Sequence, residues 1–167
     1  CNETVRILKV LKRVLPSACR IYVDVIVGSQ NPNLKQAEQL CSELPNASFH
    51  CQVSNMSWLM ARANLAIGAG GLTLYERMFM ELPSIVISTA SNQTQVLKDL
   101  SDDGYIHYLG TSGQIDEHQL EYSIADALAN GLKVKRYEFN IKRDFLWEQL
   151  QSCTKNKPDH TVEKNRL

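Results

Sequence analysis

Short apolar runs alternate with amphipathic stretches along most of the chain. The apolar, β-branched runs predict strands at residues 21–27, 48–51, 65–68, 84–88 and 105–109. Apolar residues at helical spacing predict helices at residues 4–15, 32–44, 56–63, 72–80, 94–101, 117–130 and 133–151. Asn31 is a candidate cap for the second helix, and Gly131 is expected to close the helix that ends at residue 130.

This alternation of strands and helices is typical of the α/β class. It predicts a Rossmann-like parallel sheet with helices on both faces. Residues 1–151 are expected to form this domain, and the polar residues 152–167 a poorly ordered tail. Ligands bind such sheets outside the carboxyl ends of the strands. Small and amide residues that follow three of the predicted strands are therefore candidate binding residues: Gly28, Ser29, Asn31, Gly70, Gly71, Asn92 and Gln93.

Composition narrows the range of partners. The 18 basic and 18 acidic side chains cancel over 167 residues, so no single-sign field predicts binding to nucleic acid or to a membrane surface. No apolar run approaches the roughly 20 residues that span a bilayer. The five cysteines show no Cys-x-x-Cys spacing and are expected to be reduced thiols of a cytoplasmic protein. Neither a metal site nor a cofactor is predicted.

The turn between the strand at 65–68 and the helix at 72–80 carries the most specific chemical signal. Its glycines Gly70 and Gly71 precede a helix N-terminus, where bare N–H groups and the helix dipole suit a phosphate group. Thr73 could cap this helix or donate to a phosphate oxygen, and Glu76 could accept hydrogen bonds from ribose hydroxyls. Two alternatives stay open: the glycines could serve tight packing alone, and Glu76 could merely favour the helix dipole.

Other polar residues have simpler explanations. Asn92 and Gln93 fit an ordinary helix cap, and residues 31–33 fit a turn followed by a cap. Arg62, Arg77 and Lys98 could meet a diphosphate, but each is predicted to lie on a solvated helix face. No nucleophile elbow, metal-ligand cluster or other catalytic set is evident. The residues by themselves indicate binding of a substrate more clearly than its conversion.

The loops together resemble one family. The matching segments are VIVGSQNPNLK at 25–35, MARANLAIGAGG at 60–71 with Glu76 following, LPSIVI at 82–87, and NQ at 92–93 before DGY at 103–105. They resemble the UDP-2,4-diacetamido-2,4,6-trideoxy-altropyranose hydrolases of pseudaminic acid biosynthesis, often labelled spore-coat polysaccharide biosynthesis proteins. The resemblance covers roughly residues 2–130. Glycosyltransferases of the GT-B class share the glycine loop and glutamate, but the hydrolases are the closer match because the GSxNPN and NQ loops are both present.

The resemblance implies a GT-B-type C-terminal domain that binds UDP or a UDP-sugar for hydrolysis into UDP and a free sugar. In this family the base that activates water is a histidine of an N-terminal domain, which lies outside this chain. The family's C-terminal half opens with a strand and a GGxDxxNxT loop, and this chain begins inside that motif. Asn2 is therefore a candidate sugar or phosphate contact, and the first strand is expected to be missing. Relatives often carry Ser-Thr where this chain has Leu72 and Thr73, which leaves the phosphate donors open.

Three functions remain open from the sequence. The first is the nucleotide-binding half of a UDP-sugar hydrolase, inactive without its N-terminal domain. The second is the donor-binding domain of a UDP-sugar glycosyltransferase, and the third is a non-enzymatic module that binds a nucleotide-sugar or a protein. Because a missing strand would leave a sheet edge unpaired, the chain is also expected to form homo-oligomers through that edge.

Overall fold

The structure, a computed structural model, describes residues 2–15 and 20–138, in which strands and helices alternate. A short 3₁₀ turn at Ser91–Gln93 precedes the fifth helix. The helices are α1 (Glu3–Val14), α2 (Leu34–Ser42), α3 (Met56–Arg62), α4 (Leu72–Phe79), α5 (Thr94–Asp102) and α6 (Glu117–Asn130). The strands are β1 (Val23–Val27), β2 (Ala47–Cys51), β3 (Ala66–Ala69), β4 (Ser84–Ser88) and β5 (His107–Thr111). These elements confirm the expected α/β class.

All strand pairing in this part of the chain is parallel, but it forms two small sheets instead of one. β1 pairs with β2, with Val23 opposite Ala47. The other sheet has the order β3-β4-β5. Within residues 20–138, β1 pairs only with β2, and β3 pairs only with β4 along its length. One edge of β1 and one edge of β3 therefore lack a strand neighbour among these residues.

One hydrophobic core joins the two sheets. Val25 and Val27 of β1 lie in the same buried cluster as Ile85 and Ile87 of β4. All five residues of β4 are buried, as expected for the central strand of a parallel sheet covered on both faces. The two sheets therefore share one buried core among the described residues.

Helix α1 lies between α2 and α6. Lys12 of α1 pairs with Glu43 at the end of α2, with Nζ and Oε2 2.6 Å apart. Arg13 pairs with Glu117 and Glu121 of α6, at 2.6 and 2.9 Å. Such exposed pairs contribute little stability, because water screens the charges and holding two long side chains in one geometry costs entropy. Packing of the apolar face of α1 against the core therefore stabilises the position of this helix more than its ion pairs do.

The structure corrects the last predicted helix and shifts one strand. Residues 133–138 are not helical: the N–H of Lys135 donates to the carbonyl of Gly104 at 2.8 Å, and Tyr137 packs edge-on against Tyr105. These contacts with the end of α5 and the turn after it replace helical hydrogen bonds. β5 begins at residue 107 and not at 105. Residues 139–151 and the predicted tail at 152–167 lie outside the described residues.

Association through the free strand edges stays a prediction. Unpaired N–H and C=O groups along an edge can pair with another chain. We expect the mass from light scattering to rise above the 18.9 kDa of a monomer as the chain is concentrated. A monomer mass that holds at the highest concentration would contradict this expectation.

Candidate functional site

The glycine loop between β3 and α4 exposes backbone N–H groups. Gly71 is the N-cap of α4, and no side chain caps this helix end. In the part of the chain that the structure describes, the N–H of Gly71 donates no backbone hydrogen bond. The N–H of Gly70 points into the sheet, because Ala66 donates to the carbonyl of Pro83 and the same parallel register places Ala69 opposite Ile87 of β4. The first N–H groups of α4, from Leu72 and Thr73, have no intrahelical acceptor because they begin the helix. Several donors therefore face outward at the positive end of a helix dipole.

The two glycines of this loop differ in their surroundings. A Cβ on Gly70 would meet the side chain of Leu97 in α5, with Cδ2 at 2.7 Å and Cγ at 3.0 Å. A Cβ on Gly71 would meet nothing within 4 Å. The packing explanation therefore holds for Gly70, whereas packing does not require a glycine at position 71.

Glu76 and Thr73 are both exposed on α4. Thr73 is the second residue of the helix and not its cap, so the capping role expected for it is wrong: the helix begins at Leu72, two residues earlier than that role requires. No acidic residue lies in the first turn of α4, and the dipole effect falls off within that turn. The dipole explanation for Glu76 is therefore weak. Leu72 is 85% exposed, so it offers only its backbone N–H as a polar group to the site.

Arg77 lies beneath the loop and not on a solvated face, which corrects the prediction. Only 5% of the residue is exposed. Its Nη2 donates to the carbonyl of Ala69 at 2.7 Å, and its Nε donates to the carbonyl of Thr73 at 3.3 Å. Burial lowers its pKa to about 10, so the guanidinium stays protonated at neutral pH. Arg77 lies on the inward face of α4 with Leu74 and Met78. The helical spacing of these residues in the sequence therefore already indicated that Arg77 faces the core.

The loop after β4 lies beside the glycine loop. Asn92 is exposed, and Gln93 precedes α5, the helix whose Leu97 packs against Gly70. The side-chain Oε1 of Gln93 is buried without a hydrogen-bond partner in the described part of the chain. Neither residue caps a helix through its side chain, because Gln93 holds the cap position of α5 without a side-chain bond. The structure thus brings the glycine loop and the Asn92–Gln93 loop together.

The loop after β1 has a local structural role for Asn31. Its Oδ1 accepts a hydrogen bond from the N–H of Asn33 at 2.9 Å, closing a turn. The cap position of α2 is Asn33, so the expectation that Asn31 caps this helix is wrong. Gly28 and Ser29 are exposed. No hydrogen bond joins this loop to the glycine loop within the described ranges.

The first turn of α1 touches the carboxyl ends of both sheets. The Nδ2 of Asn2 donates to Gln36, in the first turn of α2, over 3.4 Å. Glu3 accepts a hydrogen bond from the hydroxyl of Ser112, just after β5, at 2.6 Å. Asn2 therefore lies beside the start of α2, and within the described residues no hydrogen bond joins it to the glycine loop.

A charged cluster on β1, β2 and α3 was not found from the sequence. Asp24 accepts hydrogen bonds from Arg62 at 2.6 Å and lies 2.8 Å from the Nε2 of His50. The guanidinium of Arg62 also lies over the ring of Trp58, 4.2 Å from its centre. Arg62 is therefore engaged and not free for a diphosphate. The three charged residues come from distant positions, so only their packing reveals the cluster.

The described residues show neither a metal-ligand cluster nor a membrane-spanning helix. They contain no group of three or more His, Cys, Asp or Glu side chains that could hold a metal ion. No helix among them is long and apolar enough to cross a membrane.

Comparison with known proteins gives one informative similarity. No family model matches the chain. The chain is 28% identical over 105 residues to the spore coat polysaccharide biosynthesis protein SpsG of Bacillus subtilis (strain 168). The match covers 63% of this chain and 31% of that protein, so the chain spans about a third of the length of the curated relative that it matches. This chain is therefore similar to a protein of polysaccharide biosynthesis.

Proposed function

We propose that this chain is the nucleotide-binding part of a UDP-sugar hydrolase that acts in the biosynthesis of a nonulosonic acid such as pseudaminic acid. The observation that carries the proposal is the glycine loop: the N–H of Gly71 and the first N–H groups of α4 have no backbone acceptor, and the exposed carboxylate of Glu76 lies one turn behind. The similarity to SpsG supports a role in polysaccharide biosynthesis.

Different groups of the candidate site match the successive chemical parts of UDP. The N–H groups at the start of α4 would bind the diphosphate, and Glu76 would accept hydrogen bonds from the ribose hydroxyls. Asn92 and Gln93, on the neighbouring loop, would contact the nucleotide or the sugar. Asn2, Gly28 and Ser29 would extend the site along the same strand-end edge.

The proposed reaction is hydrolysis at the anomeric carbon. The oxygen of a water molecule attacks this carbon, and the bond from the carbon to the β-phosphate oxygen breaks. UDP leaves with the electron pair. The base that takes the proton from water would lie in a further domain of the whole protein. The N–H groups of the glycine loop would stabilise the charge that develops on the diphosphate.

A titration with UDP tests the nucleotide site. We expect the amide signals of Gly70, Gly71 and Thr73 to shift in NMR spectra, because Gly71 and Thr73 would contact the diphosphate and Gly70 directly precedes them. Uridine without phosphate should leave the two glycine signals nearly unchanged. Shifts confined to other parts of the chain would refute the proposed site.

A UDP-sugar glycosyltransferase is the second candidate, because it would use the same loop and glutamate. An activity assay on the whole protein that contains this chain distinguishes the hydrolase from the transferase. Release of free sugar with water as the sole acceptor supports the hydrolase, whereas turnover that requires an added acceptor supports the transferase. If the protein binds the UDP-sugar but leaves it intact in both assays, a binding module remains.

We place the protein in the cytoplasm. Cys41 is buried and Cys51 is exposed, and both are free thiols. Free thiols fit a reducing compartment.

A further inference from the structure

We infer that Arg77 is a positioning residue that holds the glycine loop in its anion-binding form. In this role the buried guanidinium fixes the junction of β3 and α4, where the N–H groups of Gly71, Leu72 and Thr73 begin the helix, and adds a positive charge that the diphosphate of UDP would balance. The inference rests on the proposed nucleotide function and deepens it.

The first step concerns the peptide that joins Ala69 to Gly70. The Nη2 of Arg77 draws the carbonyl of Ala69 toward α4 at 2.7 Å. In a trans peptide the N–H and C=O groups point in opposite directions. The N–H of Gly70 therefore points away from Arg77, toward β4, where Ile87 lies opposite Ala69. The hydrogen bond from Arg77 thus fixes the peptide that precedes Gly71, the N-cap of α4.

The second step concerns the two elements that Arg77 joins. Its Nε reaches the carbonyl of Thr73 in the first turn of α4, while its Nη2 reaches the last residue of β3. A Cβ on Gly68 would lie 2.9 Å from Nη1, so a glycine at this position leaves room for the guanidinium. One planar, forked side chain thus ties the end of the strand to the start of the helix.

The third step concerns charge. Arg77 is 5% exposed, and in the described part of the chain its hydrogen bonds go to carbonyl groups, with no carboxylate in ion-pair range. Buried arginines usually pair with an anion, because a buried charge without one is costly. A diphosphate on the outward N–H groups would place negative charge close to this cation.

The test compares Arg77→Met and Arg77→Lys with the unchanged full chain. Calorimetry measures binding of UDP, inorganic pyrophosphate and uridine, and NMR records the Gly70 amide without ligand. We expect Arg77→Met to weaken UDP and pyrophosphate at least tenfold, to leave uridine unchanged and to move the Gly70 signal. Arg77→Lys should still bind UDP and pyrophosphate several-fold more weakly than the unchanged chain, because one ammonium group does not reproduce the forked hydrogen bonds of the guanidinium.

Two further variants serve as controls. Arg62→Met removes one positive charge elsewhere and should leave UDP affinity unchanged. Gly68→Ala keeps the charge of Arg77 but displaces its guanidinium, so it should weaken pyrophosphate even if Arg77→Met fails to fold.

The outcomes separate the inference from the proposed function. If the unchanged chain binds UDP and Arg77→Met binds it equally well, the positioning role is overturned while the nucleotide site stands. Full recovery by Arg77→Lys would also overturn it, because charge alone would then suffice. If the unchanged chain binds neither UDP nor pyrophosphate, the nucleotide site and the role of Arg77 fail together.

Discussion

Replacing Gly70 with alanine is expected to lower the free energy of unfolding by about 1–3 kcal/mol, the usual cost of overpacking a well-packed core. The added Cβ would meet Leu97, whose side chain is only 1% exposed and has little room to move. The same strain would shift the loop and weaken UDP binding. Urea denaturation and calorimetry with UDP measure the two effects.

Gly71→Ala is the matched control for this prediction. Its Cβ would meet nothing within 4 Å, so we expect no overpacking and only the cost of a poorer helix cap, about 1 kcal/mol or less. Equal destabilisation by the two substitutions would contradict the packing explanation for Gly70.

A double variant tests the contact itself. Leu97→Ala alone should cost about 2–5 kcal/mol, because it empties a buried site. In the Leu97→Ala background the added Cβ of Gly70→Ala has room. Gly70→Ala should therefore lower the free energy of unfolding very little further. If the two costs simply add, the residues are not coupled and the contact does not set the choice of glycine.

Replacing Glu76 with glutamine is expected to weaken the binding of UDP about tenfold or more. The carboxylate is exposed on α4, and within the described residues it has no ion-pair or hydrogen-bond partner to lose. The lost interaction would be a charge-assisted hydrogen bond to the ribose, worth about 1.5–3 kcal/mol. Because pyrophosphate lacks a ribose, its affinity should stay the same. Calorimetry with the two ligands measures the difference.

Glu81→Gln is the control for loss of one negative charge near the end of the same helix. Glu81 is exposed and pairs with Arg136 at 2.8 Å, so its replacement should change neither UDP affinity nor stability by much. Equal loss of UDP and pyrophosphate in Glu76→Gln would point to a general electrostatic effect and count against a ribose contact.

Much of the local structure follows from the sequence pattern. The strand at Ser84–Ser88 and the helix at Glu117–Asn130 have the predicted bounds. Gly131 ends that helix with a φ of 73°, a conformation that suits glycine. The glycine loop was also predicted between a strand and a helix, and the structure confirms this placement. These features depend on residues close together in the chain, so their spacing is enough to predict them.

The sequence by itself thus determined the α/β alternation and the position of the glycine loop. The tertiary structure decided that Arg77 is buried beneath this loop, that Leu97 excludes a side chain at Gly70, and that the strands divide into two sheets. It also decided that residues 133–138 are not helical. The spacing of Leu74 and Met78 already places Arg77 on the inward face of α4. The contacts of Arg77 and the other features depend on segments that the period of a single helix or strand does not relate, because packing brings them together only in the folded chain.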